Sequence, residues 1–149
     1  MIFLHLLLGL IFGKLIGHPI LFVFASILPD IDHLYLLVRH KLWRRGQLTE
    51  KIRDEGKYGL RFKTPLIHSV FGLVVCSAIF LAIFGNVSLA GYFALGYFLH
   101  LLLDWPDRDK KQFLYPFKIE FKGFLPIWSN IEKIVTILAV LFVVILFFF

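Results

Sequence analysis

The chain has 149 residues, enough for a single domain. It is 59% hydrophobic with a mean hydropathy of +0.82, far above the apolar share of a water-soluble domain, so lipid is the expected solvent. The net charge of +6 sits in two clusters that read as topology signals, so no nucleic acid partner is expected, and the single Cys76 excludes an intramolecular disulfide and a cysteine-based zinc site.

The N-terminal Met1-Ile-Phe-Leu-His-Leu-Leu-Leu lacks the basic start of a signal peptide and is expected to remain as structure. Gly13, Gly17, His18 and Pro19 then mark a break, because a proline turns the residue before it away from helix. Two helices are expected around this break, over about residues 1–16 and 19–43, with Pro29 kinking the second and freeing carbonyls near its acidic residues. Three further apolar segments cover about residues 65–85, 87–105 and 131–149, each near the ~20 residues that a spanning helix needs. Cys76 lies within the first of them and reads as a small hydrophobe. The turn Gly85-Asn86-Val87-Ser88 makes the first two an antiparallel hairpin, and Ser129 and Asn130 offer a cap for the last, with Glu132 in its first turn. The expected fold is all-α: a polytopic helical membrane protein with about five membrane-embedded helices in one bundle, forming one domain over residues 1–149.

Of the 16 Lys and Arg, nine lie in residues 39–63 and six in 108–133; Lys14 is the remainder, and the turn at 85–88 has none. By the positive-inside rule both charged loops face the cytoplasm of a multi-pass protein in the cell's inner membrane.

Within these apolar segments the ionisable residues are costly and need partners. Leu28-Pro29-Asp30-Ile31-Asp32-His33 places two carboxylates and an imidazole in four positions. His100 and Asp104 are spaced i, i+4 and share a helix face, as zinc-binding helical pairs do. At ~1.5 Å per residue, His5, Asp30, Asp32, His33, His68, His100 and Asp104 all fall roughly 18–27 Å from the turns near residues 17 and 86. A lone His beside an Asp is more often a satisfied core pair. Seven such groups from four helices at one depth favour a metal site on the cytoplasmic side. His18, at the far turn, and His40, in a basic run, read as exposed or interfacial, and Asp107 and Asp109 as part of a solvated loop.

Asp30-Ile-Asp-His33, with His5 upstream and Gly96-Tyr-Phe-Leu-His100-Leu-Leu-Leu-Asp104 downstream, resembles the prokaryotic membrane-bound metal-dependent hydrolases, long catalogued as a domain of unknown function. That family's Thr-His-Ser element corresponds here to Lys63-Thr64-Pro65-Leu66-Ile67-His68-Ser69, with the threonine displaced, and Leu114-Tyr115-Pro116-Phe117 is similar to its segment after the Asp. The resemblance covers about residues 1–117 and implies a helical membrane protein with a metal-dependent hydrolase site.

The seven residues would hold one or two divalent ions, with zinc the first expectation and Mn2+ or Mg2+ as alternatives. Asp32, with Asp30 beside it, is the expected proton acceptor for a metal-activated water. Arg61, Lys63 and Arg108 flank the site and would bind an anionic lipid headgroup, so a phosphoester or related bond of a lipid or amphipathic molecule is the expected substrate. For these three cations the blander reading, topology or headgroup contact alone, is the favoured one. Two alternatives use the same cluster: a metal-ion or proton transporter or channel, which at this length would have to oligomerise, and a non-catalytic membrane protein stapled by metal.

Overall fold

The computed structural model describes residues 2–33, 38, 64–126 and 129–148. They are mostly helical, with five α-helices among them: α1 (Ile2–Ile16), α2 (Pro19–Ile27), α3 (Val70–Phe84), α4 (Val87–Asp104) and α5 (Asn130–Phe148). A 3-10 turn, Leu28–Asp30, follows α2, and a small antiparallel hairpin pairs β1 (Lys110–Lys111) with β2 (Phe121–Lys122).

Helices α1 and α2 fold back on each other through the Gly17–His18 break. The His18 N–H donates to the Gly13 carbonyl at 2.8 Å, and Pro19 takes the first position of α2, where its missing N–H costs nothing. The two backbones then cross closely at Gly9, where a Cβ would run into the Ser26 hydroxyl. Small residues at the crossing are how helices associate in lipid, where no hydrophobic force drives them together. α2 packs in turn on α4, around the buried Ala25, Phe93, Tyr97 and Leu101. α5 lies against α1 through Leu4, Ile11 and Ala139, with the Lys14 ammonium 4.8 Å from the Phe147 ring centre.

The α3–α4 hairpin forms as its turn residues dictate. Gly85 closes α3 at φ 65°, a left-handed conformation that L side chains rarely adopt, and Asn86 Oδ1 accepts the Leu89 N–H at 3.0 Å to cap α4. Ser129 Oγ likewise accepts the Glu132 N–H at 3.2 Å at the start of α5.

Only α4 and α5, with 18 and 19 residues, are long and apolar enough to cross a membrane among the described residues; α1 and α3 are equally apolar but have 15 residues each. The segment expected to be helical from residue 65 starts at Val70, because Pro65–Ile67 form a turn. The helix expected over 19–43 stops at Ile27. Pro29 lacks an N–H and crowds the carbonyl four residues back, so the chain tightens into the 3-10 turn before residues 31–33 resume helix. Residues 34–37 and 39–43 lie outside the described residues. The β-hairpin departs from the all-α expectation; its strands have two residues each, too few for any alternation to show.

Candidate metal centre

The break after α2 has a direct consequence. The 3-10 turn and the residues after it set Asp30, Asp32 and His33 against the ends of α1 and α4 and against the turn before α3. All seven residues singled out from the sequence meet there. His5, Asp30, Asp32, His68, His100 and Asp104 are buried, and His33 is the exposed edge, with 29% of its side chain accessible.

Three imidazoles surround the Asp104 carboxylate. His5 Nε2 lies 3.5 Å from Oδ1, and His100 Nε2 and His68 Nε2 lie 3.5 and 3.8 Å from Oδ2. Asp32 forms a second pole, with Oδ2 3.3 Å from His68 Nδ1 and Oδ1 3.8 Å from His33 Nε2. His68 bridges the two poles; its ring centre is 5.3 Å from that of His100, and the His5 and His100 rings are 4.0 Å apart. Three overlapping groups each bring their donor atoms within 4.8 Å of one another: His5, His100 and Asp104; Asp30, His68 and His100; Asp32, His33 and His68.

The hydrogen bonds around the cluster fix which ring atoms face it. His100 Nδ1 lies 2.7 Å from the Ser26 carbonyl. A carbonyl only accepts, so Nδ1 carries the proton and donates it. His5 Nδ1 lies 2.9 Å from Asp30 Oδ2 and donates in the same way. Both rings therefore turn Nε2 inward, as metal-ligating histidines do when the other ring nitrogen is tied to a carbonyl or carboxylate. His5 Nε2, His100 Nε2 and both nitrogens of His68 have no hydrogen-bond partner among the described residues, although all are buried. Buried polar atoms are normally satisfied. The 3.3–3.8 Å separations are longer than charge-assisted hydrogen bonds, ~2.7–2.9 Å. Three of these four separations match the spacing of about 3.3–3.6 Å between neighbouring ligands of a tetrahedral zinc, and the 3.8 Å from His68 Nε2 to Asp104 is slightly longer. The donor set fits a divalent ion.

Several supporting groups carry no warning in the sequence as site residues. Ser26 Oγ donates to the His5 and Val23 carbonyls at 3.1 Å each, tying α2 to α1 beside the cluster. The Thr64 N–H donates to Asp32 Oδ2 at 2.8 Å. The fully buried Tyr97 donates its hydroxyl to the Ile67 carbonyl at 2.6 Å, one residue before His68. Ser26 and Tyr97 lie in the sequence four and three positions before Asp30 and His100, which is the only available hint.

Other expected positions lie elsewhere. Arg108 is exposed beyond the end of α4, and its Nε donates to the Phe124 carbonyl at 3.2 Å rather than joining the cluster. Arg61, Lys63 and His40 lie outside the described residues. His18 is half-buried at the opposite end, 4.5 Å from Tyr92 ring to ring. Asp107 corrects the expectation of a solvated loop: it is buried, and its carbonyl accepts from Lys111 Nζ at 2.6 Å and from the Gly123 N–H at 2.9 Å, pinning the β-hairpin to α4.

No curated protein and no solved structure matches the chain. The family model described as YdjM inner membrane protein matches residues 2–149, nearly the whole chain. The buried His/Asp cluster and the apolar helices thus belong to a member of the YdjM inner membrane protein family.

Proposed function

We propose that this protein is a membrane-embedded, metal-dependent hydrolase acting on a phosphoester or related bond of a lipid or amphipathic substrate. The observation that carries the reading is the set of buried imidazole nitrogens with no hydrogen-bond partner among the described residues, turned toward the carboxylates of Asp104 and Asp32. His5, His68, His100 and Asp104 would hold the ion, with Asp32 and His33 available for a second. A divalent ion held there, zinc by the donor types, would lower the pKa of a bound water and polarise the bond under attack.

The chain's own residues do the rest. Asp30 and the Ser26 carbonyl orient the His5 and His100 rings. Asp32 is held through Oδ2 by the Thr64 N–H, while Oδ1 has no hydrogen-bond partner among the described residues and can take a proton. Packing of Phe22, Ala25, Phe93 and Tyr97 closes the cluster toward the Gly17 and Gly85 turns, which favours a site over a conduit. His33 marks the open side. Arg108, with Arg61 and Lys63, would attract an anionic headgroup. In this reading the helices are embedded in a multi-pass arrangement, with both charged loops cytoplasmic.

Hydrolysis of phosphatidic acid and related phospholipids in detergent, followed as released phosphate or headgroup, tests the reading. The metal-loaded protein is expected to be active and the chelated protein inactive. Asp32→Asn is expected to keep most of its metal while losing roughly a hundredfold or more in rate. Full metal content without hydrolysis of any phospholipid would instead support a structural staple.

A further inference from the structure

Residues 105–126 leave the end of α4, and their backbone comes straight back to it. The Arg108 N–H donates to the Leu125 carbonyl at 2.9 Å, and the Leu125 N–H donates to the Pro106 carbonyl at 2.8 Å. The middle of the segment is fastened to the first turn of α3. There the Val70 N–H donates to the Phe113 carbonyl at 2.9 Å, and the Tyr115 ring centre lies 5.9 Å from that of Phe71. α3 begins and α4 ends on the same side of their hairpin, opposite the Gly85–Asn86 turn. The segment is therefore a cap held at the level of two helix ends.

The exposed side of this cap is apolar and basic. Trp105, Phe117 and Phe124 are each more than half exposed. Trp105 directly follows α4, and Phe124 precedes the Leu125 that is bonded back to Pro106, so both rings lie by the end of α4. Leu114 and Phe117 lie on either side of Tyr115 by the first turn of α3, where Val70 and Phe71 are exposed as well. The cations Arg108, Lys118 and Lys122 are exposed on the same segment and form no ion pair among the described residues, whereas Lys110 is paired with Glu120 at 2.7 Å.

Large apolar side chains exposed together and rimmed by charge mark a contact surface. The position of the cap selects which one. α4 is long and apolar enough to cross a membrane, so a segment fastened at its end meets the bilayer surface wherever α4 is embedded. Aromatic rings with Lys and Arg at helix ends are the composition of the headgroup layer. We propose that residues 105–126 form an interfacial cap in that layer, with Trp105, Phe117 and Phe124 inserted at the acyl boundary and Arg108, Lys118 and Lys122 on the phosphates of anionic phospholipids. The cations favour anionic over zwitterionic lipid, because a negative bilayer surface attracts each of them and a neutral one does not. The cap is independent of the hydrolase reading.

Depth-dependent quenching tests the cap. Phe117→Cys and Phe124→Cys, each in a Cys76→Ala background, are labelled with a small fluorophore in nanodiscs of mixed phosphatidylcholine and phosphatidylglycerol. A nitroxide high on the lipid acyl chain is expected to quench both labels, with loss of quenching by aqueous iodide. With the nitroxide carried on phosphatidylglycerol, quenching is expected to exceed that from phosphatidylcholine about fivefold at low salt. Lys118→Gln with Lys122→Gln is expected to abolish that preference and leave metal content unchanged. Strong iodide quenching without nitroxide quenching would put the cap in water and overturn the proposal. Shielding from both quenchers would overturn it too, because the aromatics would then be covered by protein. Equal quenching from the two lipids in the native cap would refute the anionic contact.

Discussion

Asp30 and Asp104 are both buried carboxylates in one cluster, yet their neighbours give them different work. Asp30 accepts a 2.9 Å hydrogen bond from His5 Nδ1, whereas Asp104 faces the Nε2 atoms of three imidazoles at 3.5–3.8 Å. Asp30→Asn is therefore expected to weaken metal binding by about 10–100-fold, as loss of a ligand's supporting partner does. Asp104→Asn is expected to cost more, measured by competition with a chelator of known affinity; the reverse order would exchange their roles. Histidine must be neutral to bind metal, so bound metal is expected to be released on acidification, read as metal retained after dialysis at falling pH. Retention unchanged under strongly acidic conditions would contradict imidazole ligation. The seven ionisable residues were legible in the sequence because charge in an apolar run is costly and needs a partner. The Ser26 carbonyl and the Thr64 N–H that orient them were not legible, because every residue has a carbonyl and nearly every one an N–H; the crossing of α2 and α4 selects the first, and the approach of the turn before α3 to the segment after α2 selects the second.

Helix packing sets how well the cluster is held. α1 delivers His5 only because Gly9 lets it lie against Ser26. Gly9→Leu is expected to force the pair apart and destabilise the fold by about 1–3 kcal/mol. Thermal unfolding in detergent would show it as a lowered Tm, and an unchanged Tm would mean that the crossing is looser than described. Tyr97→Phe leaves the Ile67 carbonyl without its donor beside His68, at a cost of about 1–3 kcal/mol. The same unfolding measurement checks it. Helix ends were legible wherever a cap residue carries the signal: Gly85, Asn86 and Ser129 each act where the sequence places them. The start of α3 was not legible, since an apolar run says nothing about where its helix begins, and Pro65 with Ser69 moved the start to Val70. Nor was the β-hairpin, which is pinned by the buried Asp107 and Lys111 rather than by any strand pattern.

For the whole chain, composition pointed to lipid, and family membership is that of an inner membrane protein. If the charged loops are cytoplasmic, the Gly85–Asn86 turn faces the other side. Asn86→Cys, in a background with the sole Cys76 changed to Ala, is expected to react with a membrane-impermeant maleimide added outside the inner membrane. Reaction only after the membrane is permeabilised would invert the arrangement. The metal centre is tested most directly by the metal content per chain of the purified protein, measured by elemental mass spectrometry with His100→Ala and Asp30→Ala beside it. One or two divalent ions per chain are expected in the native protein, with loss of most of that content in His100→Ala and partial loss in Asp30→Ala. A native protein free of metal after exposure to zinc, or equal metal in all three, would contradict it.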